Sequence, residues 1–216
     1  MQVDVHSRQL VIGCGTGRCG TVSLMQFLNS QVDVSVLHEG LTADKIHHLI
    51  PWYKGETQLW SWMIELEKLS NGARWYGDIG FYYLPYLPKI FDRYPKSRAI
   101  CLERRKKEVI RSFLKKTTGR NHWYMHKGVG WKEDAEWDNA FPYYAELNKS
   151  KAIGLYWEQY HSTAFEYCAL FPDQFMLVPT SALNTTKGRL KILEFIGYDR
   201  EAMLDGQFRA NNIRHK

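Results

Sequence analysis

No apolar run in this chain approaches the roughly 20 residues of a membrane-crossing helix. Residues 1–8 also lack the apolar core of a secretory leader. Both absences predict a cytoplasmic protein with no membrane span. Cysteine is scarce: Cys14, Cys19, Cys101 and Cys168 are the only four in 216 residues, with no C-x-x-C pair among them. That argues against a disulfide framework and fits a reducing compartment. Dense basic tracts are missing too, beyond Arg104–Lys107 and Lys115-Lys116, so no nucleic-acid partner is expected. There is no internal repeat or low-complexity segment, which sets aside solenoids and arrays.

What is present suits one soluble domain spanning 1–216. Hydrophobic residues make up 44% and charged residues 24%, with a formal charge of +6. The positive balance suits an anionic ligand or an acidic acceptor, and equally a mildly basic surface. Strand-like segments fall at 9–12, 32–37, 74–77, 98–102 and 174–178. Helical periodicity falls at 21–29, 56–69, 87–93, 106–116, 149–170 and 186–196. In the second helix Leu59, Trp62, Met63, Leu66 and Leu69 keep helical spacing until Ser70-Asn71-Gly72 stops it. Alternation of this kind predicts an α/β fold, a parallel sheet with helices on both faces. Ligands then bind beyond the carboxyl ends of the strands, where the loop after the first strand, His38-Glu39, Asp78 and Arg104 all fall.

The segment 9–28, QLVIGCGTGRCGTVSLMQFL, carries the clearest chemistry. An apolar strand enters a glycine-rich turn and leaves as an amphipathic helix. Free amides of such a loop, with the helix N-terminus, form an anion site. Gly15, Gly17 and Gly20 satisfy G-x-G-x-x-G, and Glu39 follows about twenty residues on, where a dinucleotide fold places its ribose-binding acid. A Walker reading has the spacing of Gly15 and Gly20, but Thr21 stands in the lysine's place. The cation is Arg18, inside the loop, able to fork onto phosphate or sulfate. Cys19 sits in the same loop, where positive potential favours a thiolate; the simpler reading is the small residue that the loop needs.

A second motif is 97–114, SRAICLERRKKEVIRSFL. Arg104 closes a short strand, and Ser112 lies eight residues on in the following helix. Guanidinium and hydroxyl together make a phosphate clamp. The two motifs, in this order, resemble the sulfotransferase family that uses 3′-phosphoadenosine 5′-phosphosulfate (PAPS). The likeness continues through RWYGDIGFYYLPYLPKIF (74–91) and through 154–198. It implies a P-loop-like nucleotide-binding core. It implies that Gly17, Arg18, Cys19, Gly20, Thr21 and Val22 hold the 5′-phosphosulfate, and that Arg104 and Ser112 hold the 3′-phosphate of PAPS and of its product, adenosine 3′,5′-bisphosphate. Many cytosolic relatives carry lysine where this chain has Arg18. Their catalytic histidine segment corresponds to Gly77-Asp78-Ile79-Gly80, with Asp78 near the histidine position.

Sulfuryl transfer needs an aligned acceptor, donors for the charged oxygens and a base for the acceptor proton. Arg18 and the loop amides fit the second role. Glu39, Asp78 and His38, in that order, are the candidates for the base. No metal is required; His122 and His126 have i, i+4 spacing without a third ligand. The aromatic stretch 117–144 either caps an acceptor site or packs on the core. The expected activity is sulfuryl transfer to a hydroxyl or amine of a small-molecule or carbohydrate acceptor. Two alternatives stand beside it: a Rossmann-type NAD(P)-binding oxidoreductase, against which no Tyr-x-x-x-Lys pair occurs, and a nucleotide-binding module without catalysis.

Overall fold

The computed structural model describes residues 8–117, 137–146, 148–199 and 201–204. Its centre is β1, Gln9–Gly15, whose side chains alternate between two cores. Leu10, Ile12 and Cys14 enter one, and Val11 enters the other. Both faces of the strand are therefore apolar, as a doubly covered parallel sheet requires. β3 (Trp75–Ile79) pairs with β1 on one side and β4 (Arg98–Glu103) on the other. β2 (Val34–His38) lies outside β3, and β5 (Phe175–Pro179) outside β4. The sheet has the order β2-β3-β1-β4-β5, and every pairing is parallel. In the common dinucleotide order 3-2-1-4-5-6 the second strand neighbours the first. Here β3 separates them, which counts against the oxidoreductase alternative at the level of topology.

Helix α1 (Thr21–Asn29) supplies Leu24, Phe27 and Leu28 to one core, and α6 (Thr186–Phe195) supplies Ile192 and Leu193. The opposite core takes Leu59, Trp62, Met63 and Leu66 from α2 (Glu56–Leu69), Ile90 and Phe91 from α3 (Leu87–Arg93), and Val109 and Phe113 from α4 (Lys106–Lys116). The long helix α5 (Lys149–Leu170) adds Ile153, Tyr156, Tyr160 and Ala164 to it. Each leucine, isoleucine, valine, methionine or phenylalanine among them, fully buried, contributes about 1.5–3 kcal/mol. Helix ends are finished in different ways. Asn148 caps α5 by accepting from Lys151 N–H at 3.0 Å, and Thr185 caps α6 by accepting from Gly188 N–H at 3.1 Å. α1 begins after Gly20 in the left-handed region (φ 99°), and no side chain caps it. Its first-turn amides are left to face the site.

Several bounds differ from the sequence reading, and β3 spans Trp75–Ile79 rather than 74–77, which puts Asp78 inside the strand. β1 runs three residues further than 9–12, because Gly13, Cys14 and Gly15 pair with Ile100, Cys101 and Leu102 of β4. Backbone pairing is blind to the missing side chains. β2 starts at Val34 rather than Val32, since Asp33 turns the chain at φ 61°. Between β3 and α3 the chain forms a 3-10 turn, Phe81–Tyr86, nearly all of it buried. No helix among the described residues is long and apolar enough to cross a membrane.

Candidate active site

The carboxyl ends of β1, β2, β3 and β4 lie side by side, and the strand ends, loops and helix segments there carry the predicted site residues. After β1 the chain makes a tight turn in which Gly17 N–H donates to Gly15 C=O at 2.7 Å. Arg18 (φ 55°), Gly17 (φ 76°) and Gly20 (φ 99°) all stand in the left-handed region. At Gly15 a Cβ would fall 2.4 Å from Cys19 Sγ and 2.8 Å from Leu102 O, so only glycine fits. Two side chains from elsewhere, Tyr160 and Thr180, hold the turn. Gly15 N–H donates to Tyr160 Oη at 2.8 Å, and that hydroxyl donates to Phe81 C=O at 3.0 Å. Thr180, after β5, donates to the carbonyls of Cys19 and Glu103.

The two basic motifs meet at this loop. Arg18 Nε–H donates to Ser112 Oγ at 3.1 Å, and Arg104 Nη1–H donates to Arg18 C=O at 2.9 Å. Arg104 Nε–H is also held by Glu108 at 2.9 Å, and its own carbonyl accepts from Trp157 Nε1–H at 2.9 Å. Two guanidiniums and one hydroxyl therefore stand against an uncapped helix start, an arrangement suited to a multiply charged anion. Burial makes the Arg18 cation less favourable than in water; the nearby Glu39 charge offsets part of this and Arg104 adds to it.

Across the cleft, β2 ends at His38 and the chain turns sharply. Glu39 (φ 53°) and Gly40 (φ 60°) are consecutive left-handed residues. The non-glycine member costs on the order of 1 kcal/mol, which surrounding bonds must offset. Glu39 N–H donates to Ile79 C=O at 2.9 Å, and His47 Nδ1 lies 3.0 Å from Glu39 C=O. His38 Nε2 lies 3.0 Å from Thr21 Oγ1, which ties β2 to the start of α1. His38 Nδ1 is 3.8 Å from Glu39 Oε2. Burial lowers the pKa of His38, so at neutral pH the ring is uncharged and this contact is no ion pair. Burial, then the Asp78 charge, pushes the Glu39 carboxyl up to about 7, against the pull of Arg18 and Lys116. A carboxyl poised there is half ionised at neutral pH, as a general base should be.

A family model described as "Sulfotransferase domain" matches residues 10–166, both motifs and most of the sheet included. The chain belongs to the sulfotransferase domain family. No curated protein sequence matches it. Among solved structures it is similar to a sulfotransferase domain from the curacin biosynthetic pathway. The TM-score is 0.51 at 13% identity, over 96% of this chain and 81% of that one. That likeness concerns the fold.

Within the sulfotransferase domain, Gly17, Arg18, Cys19, Gly20, Thr21, Arg104 and Ser112 form one cluster, with Val22 half-exposed on α1 beside it. His38, at the end of β2, and Glu39, in the turn after it, face that cluster. Asp78 lies deeper: it is 0% exposed, and its carboxylate accepts from Gly40 N–H, Tyr82 Oη and Tyr83 Oη. Cys19 is fully buried, and burial pushes its thiol up to about 12, which supports the small-residue reading over a reactive thiolate. Among the described residues no group of three or more His, Cys, Asp or Glu is placed to hold a metal ion; His122 and His126 lie outside them, as does most of 117–144. Sequence reasoning missed Thr180, Tyr160 and Trp157. Thr180 follows the last strand directly, so its place at a carboxyl end was a usable signal. Tyr160 and Trp157 sit mid-helix, where nothing in the local pattern marks them.

Proposed function

We propose that this sulfotransferase domain takes PAPS as donor and transfers its sulfuryl group to a hydroxyl or amine of a small-molecule or carbohydrate acceptor. The observation that carries the reading is the joined set Arg104–Arg18–Ser112 at the glycine loop. Two guanidiniums and a hydroxyl supply many charge-assisted donors, which suits a nucleotide carrying two phosphate groups. In this reading Arg104 and Ser112 hold the 3′-phosphate. Arg18, Thr21 and the loop amides that follow Gly17, whose own N–H closes the turn onto Gly15, hold the 5′-phosphosulfate. PAPS supplies an SO₃ group on a good leaving phosphate.

Glu39 is the base. It takes the acceptor proton as the acceptor atom bonds to sulfur, and the sulfur–oxygen bond to the 5′-phosphate breaks with its electron pair on adenosine 3′,5′-bisphosphate. Arg18 and the loop amides stabilise the negative charge that redistributes onto the phosphate oxygens. Neutral His38, bonded to Thr21, keeps Glu39 and the start of α1 in register. A cytoplasmic, reducing setting goes with this reading, supported by Cys14, Cys19 and Cys101 standing as buried free thiols.

Adenosine 3′,5′-bisphosphate at about 100 times its dissociation constant should stabilise the fold by roughly 2.7 kcal/mol. Stabilisation by NAD with no response to the bisphosphate overturns the reading. Turnover of labelled PAPS with a panel of acceptors separates an enzyme from a nucleotide-binding module, and identifies the acceptor.

A further inference from the structure

Asp78 occupies an unusual position for a carboxylate. It sits in β3, in register between Ile12 of β1 and Leu37 of β2, and is wholly buried. Its Oδ2 accepts from Tyr83 Oη at 2.7 Å, Tyr82 Oη at 3.0 Å and Gly40 N–H at 3.0 Å, and Oδ1 shares the Gly40 donor at 3.2 Å. The Tyr83 hydroxyl accepts from Trp62 Nε1–H at 2.9 Å, so its own proton is committed to Asp78. The His48 ring stacks on Trp62, centroids 4.4 Å apart and 9° from parallel. His48 N–H donates back to Gly40 C=O at 3.2 Å. Gly40, Asp78, Tyr83, Trp62 and His48 thus close a ring of contacts. A Cβ on Gly40 would lie 2.8 Å from three atoms of His48, so the ring admits only glycine there.

We infer that Asp78 is a positioning residue for Glu39: through Gly40 it holds the left-handed turn that aims the Glu39 carboxyl at the glycine loop. The inference rests on the reading of Glu39 as base. Asp78 has no exposed oxygen to offer an acceptor, and both its oxygens already accept bonds. Two of its three donors, Gly40 N–H and Tyr83 Oη, belong to the turn and to the ring of contacts that braces it. Its charge has a second effect on the same target. The groups facing Glu39 are Arg18 from the glycine loop, His38 from β2, Asp78 and Tyr82 from β3 and its following turn, His47 from the segment after Gly40, and Lys116 from α4. Asp78 is the one among them whose charge raises the Glu39 pKa, while Arg18 and Lys116 lower it.

The test sets Asp78→Asn beside Glu39→Gln and Tyr83→Phe. The readouts are single-turnover sulfuryl transfer, adenosine 3′,5′-bisphosphate affinity, and the Glu39 side-chain titration followed by carboxyl-carbon NMR. Asp78→Asn should lower turnover about 10²-fold, the scale of a misaimed catalytic group. Bisphosphate affinity should stay at the wild-type value, and the Glu39 midpoint should move to lower pH. Tyr83→Phe removes the shortest bond to Asp78 and keeps its charge. It should lower turnover less, at unchanged affinity, and it decides the matter if Asp78→Asn fails to fold. Wild-type turnover and an unmoved Glu39 midpoint in either variant overturn the inference. So does loss of transfer in Asp78→Asn while Glu39→Gln remains active, which would make Asp78 itself the base. If wild-type protein transfers nothing, the reading of Glu39 fails separately, and the NMR midpoint still judges whether Asp78 acts on it.

Discussion

Glu39→Gln should make the protein more stable in alkaline solution while removing its activity. Folding takes the Glu39 carboxyl from its ordinary 4.5 to about 7, chiefly by burial. A raised carboxyl pKa means the native state binds more protons than the unfolded chain between those values. Stability contributed by this group is therefore full below about pH 4.5 and is lost as pH rises through about 7. At roughly 1.36 kcal/mol per unit, the loss reaches about 3 kcal/mol by pH 8.5. Glutamine has the shape of the protonated acid and cannot ionise. The stability difference, Gln variant minus wild type, should thus grow by about 3 kcal/mol between pH 4.5 and 8.5. For a chain of this size that corresponds to a difference in Tm on the order of 10 °C at the upper pH. Urea titrations of both proteins at four or five pH values measure it, and any constant cost of the substitution cancels in the pH dependence. A flat difference across the range refutes the reasoning, because it means that Glu39 ionises in the fold as it does in water.

Arg104→Ala should weaken adenosine 3′,5′-bisphosphate binding by about 1.5–3 kcal/mol, the scale of a lost charge-assisted bond, with turnover at saturating PAPS largely kept. Arg18→Ala should instead lower turnover itself; calorimetry and single-turnover rates side by side separate the two, and equal effects on donor affinity alone would contradict the division. Glu39→Gln should cut transfer by a factor of about 10²–10⁴ with bisphosphate affinity near wild type. Iodoacetamide at pH 8 should label Cys168, which is partly exposed, and spare Cys14, Cys19 and Cys101, which are fully buried in the folded protein. Mass spectrometry of the digest reads the pattern, and rapid labelling of Cys19 would restore a reactive thiol to the loop.

Local pattern alone determined most of the elements. The bounds of α1, α2, α3, α4 and α5 follow from helical spacing and from stops such as Ser70-Asn71-Gly72, because these are properties of neighbouring residues. The anion loop was legible for the same reason: strand, glycines, arginine and helix are contiguous. Glu39, Asp78 and Arg104 could be placed at strand ends once the strands were known, since a parallel sheet sends all its carboxyl ends to one edge. What depended on tertiary structure was the relation between those ends. Nothing in the sequence places β3 between β1 and β2, because strand order is set by helix packing across both faces of the sheet. Nor does local sequence separate two carboxylates at neighbouring strand ends. Asp78 and Glu39 differ because one points between Tyr82, Tyr83 and the Gly40 amide, and the other, left-handed in backbone, turns toward Arg18. Arg18 meets Ser112 across 94 residues of chain, and Gly15 meets Tyr160 across 145. Burial and charge at such meetings are sums over groups distant in sequence, which is why the candidates were readable from the residues and their separate roles come from the fold.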